Sequence, residues 1–163
     1  MSSRLDALRQ EIEEAFADVP YPGDDHLVDE PYDWEAAELL ECFKGRHWKE
    51  LSHEDLFQNS LTFVGLDAYT FYLPAYLYAA LDDYDRSDHV VYGLCPTTDN
   101  AQLLQWDLRR YDRLDARQRA AVRHFLEYMR DEKRSYLLDA EEVRDALERY
   151  WAREDPSDGR EGT

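Results

Sequence analysis

Glycine and proline are scarce in this chain, six of each in 163 residues, and they are unevenly spread. No glycine occurs between Gly93 and Gly159, and no proline between Pro96 and Pro156. Strands and hairpins need turn residues in so long a stretch, so the composition predicts a run of helices. Lysine is nearly missing, three against sixteen arginines. There are two cysteines, Cys42 and Cys95, neither in a CxxC pair. That excludes a dense disulfide framework and predicts buried thiols in a reducing cytosol. No apolar run reaches the ~20 residues that a transmembrane helix needs. The opening Met1-Ser2-Ser3-Arg4-Leu5-Asp6 has no apolar h-region, so no secretory signal is expected and the expected location is cytoplasmic.

The vocabulary of catalysis is thin too. No HExxH, GxSxG, Walker loop or GxGxxG occurs, and glycine is too rare to build a phosphate cradle. His26, His47, His53, His89 and His124 are scattered, with no pair at helical spacing and no cysteine beside them. His53-Glu54-Asp55 lacks the second histidine of a zinc protease. Asp83, Asp85, Ser87 and Asp88 resemble the start of a calcium loop, but the sixth and twelfth positions hold Asp88 and Leu94 instead of Gly and Glu. These residues read as a solvated turn. No catalytic residue, metal ligand or cofactor is expected, and an enzyme is the less favoured reading.

Positive charge is missing where it is most conspicuous. The formal net charge is -18, from 37 Asp and Glu against 19 Lys and Arg. From Glu11 to Phe43 there are twelve carboxylates and neither Lys nor Arg. Nucleic acid and anionic membrane are therefore not expected partners. Solubility or adaptation to salt explains the acidity without any function. A surface that meets a basic protein explains it with one. Within this block Asp24, Asp25, Asp29 and Glu30 lie in a loop dense in helix breakers, Val19-Pro20-Tyr21-Pro22-Gly23, and are the candidate contacts. Arginines return between Arg109 and Arg134, mixed with acids at helix-surface spacing, and are expected to pair with the acidic block and so bring the late helices beside the first two.

What the chain has in abundance is aromatic residues, and they gather. Ala68 to Leu81 contains no charge, and five of its fourteen residues are aromatic. A segment apolar all round packs on every side, so Leu66–Leu81 is predicted to be the central helix of the core. Pro74 interrupts it, either as a kink or as the first residue of a new helix, and the kink is favoured. Around it the spacing predicts a helix over 3–18 capped by Ser3, and a short one from Asp33 through Trp34, Ala37, Leu40 and Phe43, ended by Gly45. Ser52 and Asp55 look like a cap, and Leu61-Thr62-Phe63-Val64 a connector. Val90 to Leu94 reads as a short helix. Asn100 to Arg113 reads as a longer one anchored by Leu103, Leu104, Trp106, Leu108 and Tyr111. Two final helices start at Asp115 with Gln118 and at Asp139 with Glu142. The result is an all-α, compact single-domain bundle of six to eight helices over residues 1–153, with a polar tail, 154–163, expected to be disordered.

Lys44-Gly45-Arg46-His47-Trp48-Lys49 is the concentrated basic cluster of the first half. Trp48 reads as a core anchor, and Tyr69, Tyr72 and Tyr76 as core residues with hydroxyls satisfied at the edge. The functional alternative is a pocket in which Arg46, His47, Trp48, Tyr69, Tyr72 and Tyr76 converge on a small anionic or aromatic ligand.

Two of these stretches carry a resemblance. Gly45-Arg46-His47-Trp48-Lys49-Glu50-Leu51 fits the pattern G-[KR]-x-W-x-x-[LV], and Tyr69 to Leu77 follows as an aromatic segment around Leu73-Pro74-Ala75. Together they resemble a family of small bacterial proteins catalogued as a domain of unknown function. Ile12-Glu13-Glu14-Ala15-Phe16 with Val19-Pro20-Tyr21-Pro22-Gly23-Asp24, and Leu114 to Val122, extend the likeness to roughly residues 8–132. The resemblance implies one compact domain and no activity, and it singles out Gly45, Arg46, Trp48, Tyr72 and Pro74. The expected function is non-enzymatic: binding and neutralising a basic protein partner, as toxin-immunity proteins do. The alternatives are a small-molecule binder or unfamiliar enzyme at the aromatic centre, and a structural or homo-oligomeric subunit.

Overall fold

The computed structural model describes residues 3–86, 88–133 and 140–152. The predicted cap at Asp139, Ser87 of the calcium-like turn and the tail from 154 lie outside the described residues. Among the described residues the chain is all-α, with eight α-helices and single turns of 3-10 helix in several of the connections. Contacts gather them into two units, Met1–Ala15 with Leu94–Thr163, and Phe16–Gly93.

The first unit begins with α1 (Arg4–Phe16). The Ser3 hydroxyl accepts the Asp6 N–H, and the Asp6 carboxylate accepts the Ser3 N–H, so the predicted cap closes in both directions. Leu8, Ile12 and Ala15 form its buried stripe. After Leu94 come α6 (Ala101–Tyr111), α7 (Ala116–Glu132) and α8 (Ala140–Ala146), the last running into a π-helical turn, Leu147–Trp151. Gln118 completes the capping box of α7 with Asp115 and also donates to the Ala15 carbonyl, tying the start of α7 to the end of α1. Trp151 is buried with its indole N–H on the Leu94 carbonyl at 2.7 Å, and Tyr111 packs against it at 5.0 Å between ring centres.

The second unit holds α2 (Trp34–Phe43), α3 (His53–Gln58), α4 (Tyr69–Asp82) and α5 (Asp88–Tyr92). Asp33 caps α2, accepting the N–H groups of Glu35 and Ala36. Gly45 follows α2 at φ 72°, the left-handed conformation that the predicted helix stop requires. Ser52 and Asp55 form the expected capping box of α3, and Leu61–Phe63 is a 3-10 connector. At the centre is α4. Eleven of its fourteen residues are buried, and it continues through Pro74 as one helix, so no second helix starts at the proline. Leu66–Ala68 is a 3-10 turn leading into it rather than its first turn.

That entry is held from outside. The Gly65 N–H donates to the Leu27 carbonyl at 2.7 Å, and the Asp29 carboxylate accepts the Leu66 N–H at 3.1 Å. A Cβ on Gly65 would lie 3.1 Å from both the Leu27 carbonyl and the Asp29 carboxylate, so glycine is what lets the two strands of chain approach.

Two apolar faces do not point where hydrophobicity alone places them. Trp34 is 67% exposed, and α2 buries Ala36, Leu39 and Phe43 instead. In α6 the expected anchors Leu103 and Trp106 are exposed, while Asp107, Arg110 and Tyr111 are buried. Asp107 is held inside by accepting both the N–H and the hydroxyl of Thr97, each at 2.9 Å. This hydrogen bonding offsets the cost of burying its carboxylate. The two faces of α2 should separate in a stability experiment. Leu39→Ala is expected to cost about 2–5 kcal/mol in urea unfolding, while Trp34→Ala should stay within about 0.5 kcal/mol of the parent.

Candidate functional site

The six residues of the alternative pocket reading are placed by α4 and by the chain between α2 and α3. Tyr69, Tyr72 and Tyr76 are fully buried on α4, and Trp48 is buried at the start of a 3-10 turn, Trp48–Glu50. The Tyr72 hydroxyl sits between two carbonyls, Arg46 at 2.9 Å and Phe43 at 3.1 Å. The Tyr76 hydroxyl donates to the Asn59 carbonyl. Burial pushes both phenols well above their ordinary pKa. Trp48 packs against Tyr78 at 5.5 Å, and the His47 ring meets Phe71 edge-on at 5.2 Å.

Arg46 and His47 serve this same packing. Arg46 donates to the Cys42 and Glu50 carbonyls and pairs with Asp55 at 3.1 Å, joining the end of α2 to the start of α3. The Ser52 N–H and Arg46 hold the Asp55 carboxyl below its usual range, although partial burial opposes the shift. Burial and the nearby Asp55 raise the Cys42 thiol. Cys42 is half-buried, not enclosed as expected, and neither cysteine forms a disulfide. His47 caps the 3-10 turn, its Nδ1 accepting the Lys49 N–H. Around the family-like aromatic centre, the Tyr72 and Tyr76 hydroxyls and part of the Arg46 guanidinium thus bind backbone carbonyls.

The acidic loop divides into two kinds of residue. Asp24 accepts a hydrogen bond from the Tyr21 hydroxyl, which in turn accepts the Gly45 N–H at 2.8 Å. Burial first, and then the hydrogen bond to Asp24, raise the Tyr21 pKa. Asp29 caps the turn before α4. Asp24 and Asp29 therefore hold the fold, although both are exposed. Asp25 and Glu30 are exposed and, among the described residues, their carboxylates have no partner.

Elsewhere in the block the expected pairing with late arginines is seen at Arg117. Arg117 reaches Glu14 at 3.4 Å, and His124 reaches Glu11 at 2.7 Å, both joining α7 to α1. Arg119 instead donates to the Tyr111 carbonyl and the Tyr150 hydroxyl and stacks on Tyr150, and Arg123 pairs along its own helix with Glu127. Aromatic faces compete successfully with carboxylates for guanidinium here.

Two features escaped the reading of the sequence. One is a cleft of about 350 Å³ in the first unit, lined in part by Cys95, Thr98, Glu142, Asp145 and Arg149. It joins a loop to one face of α8, and no local motif marks it. The other is a bare aromatic pair in the acidic block: Tyr32 is 99% exposed and Trp34 67%. The Pro31-Tyr32-Asp33 turn signals Tyr32, because a residue preceding a cap stands outside the helix's buried stripe, whereas no local signal sets Trp34 outside it. Among the described residues, no three His, Cys, Asp or Glu side chains form a group able to hold a metal ion, and no helix is long and apolar enough to cross a membrane.

The two kinds of acidic residue should behave differently when truncated. Asp29→Ala is expected to lower unfolding free energy by about 1 kcal/mol, as loss of a cap does, while Asp25→Ala should leave it unchanged within error. The lowered pKa of Asp55 also fixes a sign. Its contribution to stability is present above the unfolded-state carboxylate pKa and is lost as pH falls through the lower folded value. Denaturant titrations from neutral to acid pH should show the stability gap between wild type and Asp55→Asn closing over that window.

No curated protein and no solved structure matches this chain. A family model does, over residues 4–155, which extends past the roughly 8–132 suggested by the motifs and takes in α8. The chain belongs to that family, a family of unknown function (DUF6714).

Proposed function

We propose that this is an acidic cytosolic binding protein whose α2 face and preceding loop receive a basic protein. The observation that carries the reading is a set of carboxylates with no internal use. Asp25, Glu30, Glu38 and Glu41 are exposed, and none has a partner among the described residues. They lie in the stretch from 11 to 43 that contains no Lys or Arg. Carboxylates left unpaired on one element attract a cationic surface at long range and select against acidic ones. An immunity-like role, neutralising a basic partner by covering it, fits a small binder with this charge. The use of Arg46 by the Cys42 and Glu50 carbonyls and by Asp55 favours binding at a surface over chemistry at the aromatic centre.

The test uses full-length protein immobilised in low salt. Wild type should retain a discrete basic protein from native extract of its source. The variant Asp25→Asn/Glu30→Gln/Glu38→Gln/Glu41→Gln should bind that protein about 10–1,000-fold more weakly, as four exposed ion pairs at a few tenths to one kcal/mol each imply. Equal retention by both forms, or no retained protein, would overturn the reading.

A further inference from the structure

Three of the four tryptophans in this protein have a cation against the ring. The Arg110 guanidinium lies 3.9 Å from the centre of Trp106, Lys49 lies 5.6 Å from Trp48, and Arg119 lies 5.4 Å from Trp151. Trp34 is the exception among the described residues. It is also the most exposed tryptophan, and from Glu11 to Phe43 the chain offers no Lys or Arg to cover it.

The neighbours of Trp34 are those a guanidinium needs. Glu38 and Glu41 follow it at i+4 and i+7, so the three side chains stand on one face of α2, one turn apart. All three are exposed, and neither carboxylate has a partner among the described residues. Tyr32 presents a second open ring two residues before. The positive end of the helix is already met by Asp33, whose carboxylate accepts the Glu35 and Ala36 N–H groups, so it does not repel a cation from the site.

We infer that Trp34, with Glu38 and Glu41, is a seat for an arginine side chain of the basic partner. This rests on the acidic-face reading above and names what that face recognises. A guanidinium is planar and weakly hydrated, so it can lie on the indole while its edge N–H groups reach the next carboxylate along the helix. An ammonium is a strongly hydrated point charge and gains less from the ring. The seat therefore discriminates arginine from lysine at equal charge. Trp106 with Arg110 shows the same stacked geometry within the molecule.

The probes are hexa-arginine and hexa-lysine peptides, titrated into full-length protein at low salt. Wild type should bind hexa-arginine more tightly than hexa-lysine. Trp34→Ala should shrink that ratio by about two- to fivefold, the range of an exposed cation–π contact, and weaken hexa-lysine binding less than hexa-arginine binding. Trp34→Phe should restore part of the preference. Glu38→Gln/Glu41→Gln should weaken both peptides and flatten the salt dependence. If Trp34→Ala leaves the ratio unchanged while the glutamine variant weakens both peptides, the arginine seat is overturned and the acidic face stands. If the glutamine variant binds both peptides as wild type does, the acidic face itself is overturned. Circular dichroism on Trp34→Ala should show the parent's helicity, so lost preference reports the seat and not the fold.

Discussion

The constraint on which the second unit depends is the burial of tyrosine hydroxyls on α4. A helix that is apolar on every side can be surrounded, but each phenol it carries needs an acceptor once water is gone. Tyr72 finds the carbonyls of Phe43 and Arg46, and Tyr76 that of Asn59. Those carbonyls lie at the end of α2, just beyond it, and just after α3. The chain must therefore turn at Gly45 and at Asn59 with its carbonyls directed inward, and the flanking side chains fix it there. Arg46 spends its guanidinium on the Cys42 and Glu50 carbonyls and on Asp55. The family-like motif around Gly45 and Trp48 thus reads as the collar of α4. Its arginine is taken up by backbone and by one carboxylate, which ties the motif to the aromatic centre it surrounds.

Much of this architecture was legible in the sequence because it rests on local chemistry. Ser3, Asp33, Ser52 and Asp115 start helices through hydrogen bonds spanning two or three residues, and Gly45 stops one through its own φ. Such signals do not depend on the rest of the chain. The entry into α4 was not legible, because the cap on Leu66 comes from Asp29, 37 residues away. Nothing in local spacing distinguishes that carboxylate from Asp25, which has no such task.

The orientation of apolar faces was the other gap, and it has a physical cause. Both α2 and α6 carry more apolar residues than one stripe can hold. In α2, Ala36, Leu39 and Phe43 compete with Trp34 for the inward side, and three residues at helical spacing outweigh one large ring near the cap. In α6 the outcome is decided by polar partners. Asp107 is drawn in by Thr97, and Arg110 follows it to lie buried under the exposed Trp106 ring. A hydrogen bond donated from a loop ten residues before, together with a stacked guanidinium, turns the helix about its axis. Hydrophobicity alone reads the same residues as core.

Charge is distributed on α2 as a helix designed for its own stability would avoid. Asp33 and Glu35 at the start suit the positive end of the dipole. Glu41 stands in the last turn, where no basic residue accompanies it and the dipole is negative. Glu35, Glu38 and Glu41 are spaced three apart, so like charges face each other along the exposed side, each pair costing about a few tenths of a kcal/mol. The first unit is arranged differently: Glu11, Glu14, Asp131 and Glu132 all have cationic or imidazole partners. Solubility needs net charge but not this arrangement, since the same charge spread with interleaved arginines would dissolve as well and repel less. A cation laid along α2 removes the repulsion and answers the exposed negative end together. In the free protein these like charges stand side by side along α2 without a counter-charge of their own, a cost that the first unit avoids by pairing its carboxylates.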